Sequence, residues 1–150
     1  MSHIDPALDF RVHGRPQQRG SKKAVVIAGK ARMLDANKDS RAWMDAVATA
    51  AAEAWGGRPL LLGPVGLSVR FDFKRPKGHY GSRKGQPYVK DNAPSYHTTT
   101  PDTDKLMRSI GDALTGVVYG DDKQICNLLL IEKRYTESSE GAYIRVFDLS

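Results

Sequence analysis

Four aspartates stand where they can do chemistry together. Asp102 and Asp104 lie two residues apart in Pro101-Asp102-Thr103-Asp104-Lys105-Leu106, just ahead of a helical pattern. Asp121 and Asp122 are adjacent in a turn that precedes an apolar run. If the chain is still extended at Asp102, the first two carboxylates can point to one side. A few carboxylate oxygens bind a hard divalent cation such as Mg²⁺, with Mn²⁺ as a substitute, and leave room for water and substrate. Beside a phosphodiester, such an ion polarises the phosphoryl oxygen and lowers the pKa of an attacking water. A second reading stays open for both sites: Asp102 and Asp104 cap a helix and complement its dipole, and Asp-Asp is ordinary turn chemistry.

The charge balance bears on this choice. Lysine and arginine total 23 against 17 acids, a net charge of +6 with a pI near 9.5. That surplus points to a polyanionic partner. The cations are clustered. Arg15, Arg19, Lys22 and Lys23 lie between His13 and Lys23 with no acid among them. Lys74, Arg75, Lys77, Arg83, Lys84 and Lys90 fill a second acid-free stretch, and Lys105 stands beside the acids, directly after Asp104. Such cations grip backbone phosphates in a salt-dependent way, and Tyr80 and Tyr88, interleaved with them, either stack on unpaired bases or anchor the loop. Acids alone would repel a nucleic acid, so a bound metal makes the two features compatible.

Other chemistries find no support. The single cysteine, Cys126, forms no internal disulfide. The four histidines show no metal spacing; His79 and His97 in a polar segment, and His13 beside Arg15, read as solvated or phosphate-contacting. Ser40 and Ser109 lack the partners of a nucleophilic serine. No apolar run approaches the roughly 18 residues of a membrane span, and the first residues lack a signal-peptide pattern. The expectation is a cytoplasmic protein with no membrane partner.

The elements that must position these residues follow from periodicity. Alternation predicts strands over 8–12 and 65–73, the latter with Val65, Leu67, Val69, Phe71 and Phe73 on one face. Apolar runs predict strands over 24–28, 125–131 and 142–147, with 125–131 covered on both faces and Cys126 an inert core thiol. One helix starts at Asp39 or Ser40, buries Met44, Val47, Ala48, Ala51 and Trp55, and stops at Gly56-Gly57. A second runs from about Asp104 to Thr115, with Leu106, Met107, Ile110, Ala113 and Leu114 as its core stripe and Gly116 as its cap. Residues 74–100, rich in Gly and Pro, read as a long basic flexible loop. The fold class is therefore α/β (α+β), one domain over 1–150, with two main helices on a small mixed sheet.

The ordered motifs resemble the RusA family of Holliday junction resolvases, often carried by phages and prophages. Pro101-Asp102-Thr103-Asp104-Lys105-Leu106, then Asp112-Ala113-Leu114-Thr115-Gly116, then Asp121-Asp122-Lys123-Gln124-Ile125 follow that family's signature. Phe10-Arg11-Val12-His13-Gly14-Arg15-Pro16 resembles its first strand and basic turn, and Gly63-Pro64-Val65 opening a strand also recurs there. The resemblance implies a metal-binding acidic triad at Asp102, Asp104 and Asp122, with Asp121 as auxiliary. It puts Arg108 where the family has a catalytic lysine and Lys105 where asparagine is usual. It also implies a homodimer that resolves four-way DNA junctions by paired symmetric nicks, in recombination or repair. Two other readings stay open: a non-catalytic basic DNA-binding module, and a nuclease for flaps, forks or RNA–DNA hybrids.

Overall fold

The computed structural model describes residues 4–19, 22–35 and 39–150; the side chains of 22–25 and 32–35 lie outside that description. The nine-residue alternation becomes β4 (Val65–Lys74), and its odd positions are essentially sealed: Val65, Leu67 and Phe71 are 0% exposed. β4 lies inside a sheet of order β1-β8-β4-β7, with β1 at Leu8–His13, β8 at Gly141–Asp148 and β7 at Ile125–Thr136. β8 runs antiparallel to both β1 and β4, while β4 and β7 are parallel. Parallel neighbours need a crossover, and that crossover carries the acids.

Both helices pack on one face of the sheet. α1 (Ser40–Trp55) buries Trp43, Val47, Ala51 and Trp55, one residue per turn, against β1 and α2. Trp43, rather than Met44, leads this stripe. Gly56, in the left-handed conformation at φ 68°, donates its N–H to Ala52 O and ends the helix. α2 (Thr103–Leu114) buries Leu106, Ile110 and Leu114 at 0% exposure. On the opposite face of the sheet, Asp72 is only 4% exposed and is held by Arg11 (2.7 Å) and Arg70 (3.0 Å).

Several expectations are corrected. Residues 74–100 are not wholly irregular. A 3₁₀ turn at Lys77–His79 leads into a hairpin of β5 (Tyr80–Arg83) and β6 (Gln86–Val89). Its turn residues Lys84 and Gly85 have φ of 51° and 77°, the pair of positive values that matches strand twist in a two-residue hairpin. Lysine is an uncommon choice there, which is why the turn is hard to read. The strand expected over 24–28 is present as β2 (Lys22–Ile27), and what the sequence reading missed is its hairpin partner, β3 (Lys30–Asp35). β7 is an edge strand, not a covered one: Leu128, Leu129 and Leu130 are 53%, 47% and 57% exposed, and Cys126 is exposed. An apolar run signals sheet propensity but not position within the sheet.

His97 also departs from expectation. It is 7% exposed and stacks on Phe73 at 4.1 Å between ring centroids. Burial, then the charges of Lys133 and Arg15, lowers its pKa. His79 meets the edge of Tyr135 at 4.7 Å. No helix among the described residues is long and apolar enough to cross a membrane.

Candidate active site

The site begins where the chain enters α2. Asp102 is the N-cap residue and is extended (φ −76°, ψ 141°), as the two-residue spacing requires. Its carboxylate makes no capping hydrogen bond. Its backbone is nonetheless fixed on both sides. The N–H donates to Gln18 Oε1 at 2.9 Å, and the carbonyl accepts from Leu106 N–H at 3.0 Å. The helix-cap explanation of Asp102 therefore fails at the side chain. The carboxylate is exposed, and Lys105 Nζ stands 3.8 Å from it.

Along α2, Asp104, Arg108, Gly111 and Thr115 are spaced four, three and four residues apart, which puts them on one stripe. Asp104 and Arg108 are exposed. The glycine is where the second acidic group docks: a β-carbon at Gly111 would lie 3.9 Å from Asp122 Cβ. Asp122 thus leans on the stripe that carries Asp104, about 10 Å further along at 1.5 Å per residue. Among the described residues, no three His, Cys, Asp or Glu side chains converge on one ion-sized point. The acids form two groups on a shared helix, one at its start and one toward its end.

The two adjacent aspartates divide their work. Asp121 is a structural cap. Its carboxylate accepts from Lys123 N–H at 2.9 Å, which holds its pKa below the usual carboxylate value. Asp122 has the opposite environment: desolvation first, then the neighbouring carboxyls of Asp121 and Asp112, raise its pKa. Asp112, four residues beyond Arg108 on the helix, pairs with Arg19. Among the described residues, no ion pair joins the exposed Arg108 to Asp112.

This crowding predicts a stability effect. Replacing Asp122 by Asn removes one charge from the group, so the metal-free variant should melt higher at pH 7, on the order of 1–2 °C. A raised carboxyl pKa means the penalty exists above the folded-state value and is absent below the unfolded value near 4. The difference in Tm should therefore vanish as the pH falls below about 4. Thermal melts of both proteins across pH check this; a variant that melts no higher at pH 7 would show that Asp122 is not crowded.

The cations expected to contact phosphate are distributed unevenly. Arg83 and Lys84 sit at the exposed end of the β5–β6 hairpin, with Arg83 over the Tyr88 ring at 5.3 Å. Lys74, Lys77 and Lys90 are exposed around its base. Arg75 is a scaffold residue, donating to Pro94 O at 2.5 Å and lying over Tyr135 at 5.4 Å. Arg15 bonds Glu140 at 3.3 Å while half exposed, and Arg19 holds Asp112. The side chains of Lys22 and Lys23 lie outside the described residues.

Two residues that sequence reasoning missed hold the acids in place. Gln124 Oε1 accepts from Gly120 and Asp121 N–H, both at 2.9 Å, and its Nε2 donates to Leu61 O (2.8 Å) and Gly63 O (2.9 Å). Lys133 Nζ donates to Thr99 O (2.7 Å) and Pro101 O (2.8 Å), just before Asp102. Glutamine three residues after a capping aspartate is a readable signal. A lysine in the middle of a strand is not.

The donor chemistry fits a hard cation. Asp102 and Asp104 offer exposed carboxylate oxygens, and Mg²⁺ is commonly held by one or two carboxylates, with waters and substrate phosphate completing its shell. The comparisons with known proteins bear on the family. A Bacillus subtilis (strain 168) protein described as "Uncharacterized protein YqaN" is 30% identical over 132 residues, covering 87% of this chain and 89% of its own. Residues 11–147 match the family model "Endodeoxyribonuclease RusA"; with nearly the whole chain so matched, this protein belongs to the RusA endodeoxyribonuclease family.

Proposed function

We propose that this protein is a divalent-metal-dependent nuclease that resolves four-way DNA junctions as a homodimer in the cytoplasm. The observation that carries the reading is the uncapped, exposed carboxylate of Asp102. It stands beside Asp104 on the helix whose stripe also presents Arg108 and receives Asp122. Asp102 and Asp104 would hold Mg²⁺, or Mn²⁺ in its place, and Asp122 is the third acid of the reading, with Asp121 bracing its turn. When bound, the ion supplies Lewis-acid activation of the scissile phosphate and a more acidic attacking water. The chain's own residues do the rest. Arg108 stabilises charge that develops on the phosphate. Arg15, Lys74, Lys77, Arg83, Lys84, Lys90 and Lys105 grip flanking phosphates, so affinity falls steeply with salt. Tyr88, 43% exposed on the hairpin, is placed to stack on a base opened at the branch. A two-fold junction needs paired nicks, and an isologous dimer presents two identical sites to it.

Mapping product ends on a mobile four-way junction, with Mg²⁺ or with EDTA, tests the whole reading. Paired nicks at symmetric positions, dependent on the metal, are expected. Stable binding with no product in either condition would instead make the protein a non-catalytic module. Faster cutting of flaps, forks or RNA–DNA hybrids would move the activity to another substrate.

A further inference from the structure

We propose that Lys133 is a positioning residue for the candidate metal site, fixing the approach to Asp102 from the neighbouring strand. The inference rests on the reading of Asp102 as a metal ligand. Lys133 pairs in register with Phe71 of β4, whose side chain is buried beneath the helices, so it belongs to the face on which α2 lies. Its Nζ donates to Thr99 O at 2.7 Å and Pro101 O at 2.8 Å. Its own carbonyl accepts from His97 N–H at 3.1 Å, and two residues on, Tyr135 N–H donates to Ser95 O at 2.9 Å. The segment 95–101 is thereby laid along β7, and its last carbonyl before Asp102 is held by a side chain.

The chemistry of lysine suits this place. An ammonium has three donors. Two are spent on the carbonyls; the third donor and the positive charge remain. A neutral side chain of the same length would leave Pro101 O unpaired where it is partly buried, and Thr99 O to water. The helix holds Asp102 only through its carbonyl, which accepts from Leu106 N–H, so the peptide before it is held from outside. Gln18 holds one side of it and Lys133 the residue before it.

The test measures metal binding without DNA and without turnover. Free Mn²⁺ is followed by electron paramagnetic resonance during titration of wild type, Lys133→Met and Lys133→Arg, with hydrogen exchange recorded over residues 99–106. Lys133→Met should weaken Mn²⁺ binding about tenfold, as loss of an outer partner of a metal ligand commonly does, and should speed exchange in that segment. Lys133→Arg, which keeps charge and donors, should recover most of the affinity. A role limited to stability would lower the Tm of Lys133→Met and leave Mn²⁺ binding unchanged, and that result overturns the inference. So does tighter binding, which would mean that simple charge repulsion dominates. If wild type itself binds no Mn²⁺, the metal reading of the site falls first and takes this inference with it. Should Lys133→Met not fold by circular dichroism, Lys133→Gln, which keeps a donor on a shorter stem, is judged by the same criterion.

Discussion

Asp102→Asn should bind a four-way junction at least as tightly as wild type and cut it on the order of 10³-fold more slowly in Mg²⁺. Asparagine keeps the shape and size of the side chain but loses the charge that a hard cation requires. The fold should not notice, because the Asp102 carboxylate caps nothing and only a loose pair with Lys105, at 3.8 Å, is lost. An exposed pair of that kind contributes at most about 1 kcal/mol. Removing a negative charge from a surface proposed to face DNA also favours binding. Gel-shift titration in EDTA and single-turnover cleavage in Mg²⁺ separate the two quantities. Cleavage at the wild-type rate would take Asp102 out of the metal site.

Gln124→Leu should have the largest effect on stability among changes near the site. One side chain there serves four backbone groups. Leucine matches its bulk but offers none of its polar atoms. Two N–H groups and two carbonyls then lose their partner, and water can reach only some of them. The cost should be about 2–4 kcal/mol, a fall in Tm of roughly 5–15 °C for a chain of this size. The loss should also reach catalysis, since the turn that Gln124 ties to Leu61 and Gly63 is the one that seats Asp122 against Gly111. Calorimetry and cleavage assays below the new Tm distinguish the two losses. A variant that melts within about 2 °C of wild type would mean that Gln124 is dispensable to the turn.

What the sequence revealed, and what it hid, follows from how local each signal is. The β4 alternation, the α2 stripe and the Gly56 stop are written in neighbouring residues, and the structure places them within a residue or two of expectation. The acids were legible because their spacing and their ordered motifs are local too. The β2–β3 and β5–β6 hairpins were hidden because Ala28-Gly29 and Lys84-Gly85 adopt positive φ without the Asn-Gly or Asp-Gly signature. The edge position of β7, the burial of His97 against Phe73 and the reach of Lys133 to Pro101 O depend on residues far apart in the chain. No periodicity encodes such distances.

The crossover between the parallel strands β4 and β7 has one more consequence. Asp102, Asp104, Arg108 and Asp122 all come from that single connection. A circular permutant opened in the β2–β3 turn would keep this span unbroken, so its chemistry should survive the cut. The same continuity lets recombination between relatives exchange the whole candidate site in one event, and the β5–β6 hairpin, which lies in the same connection, would travel with it.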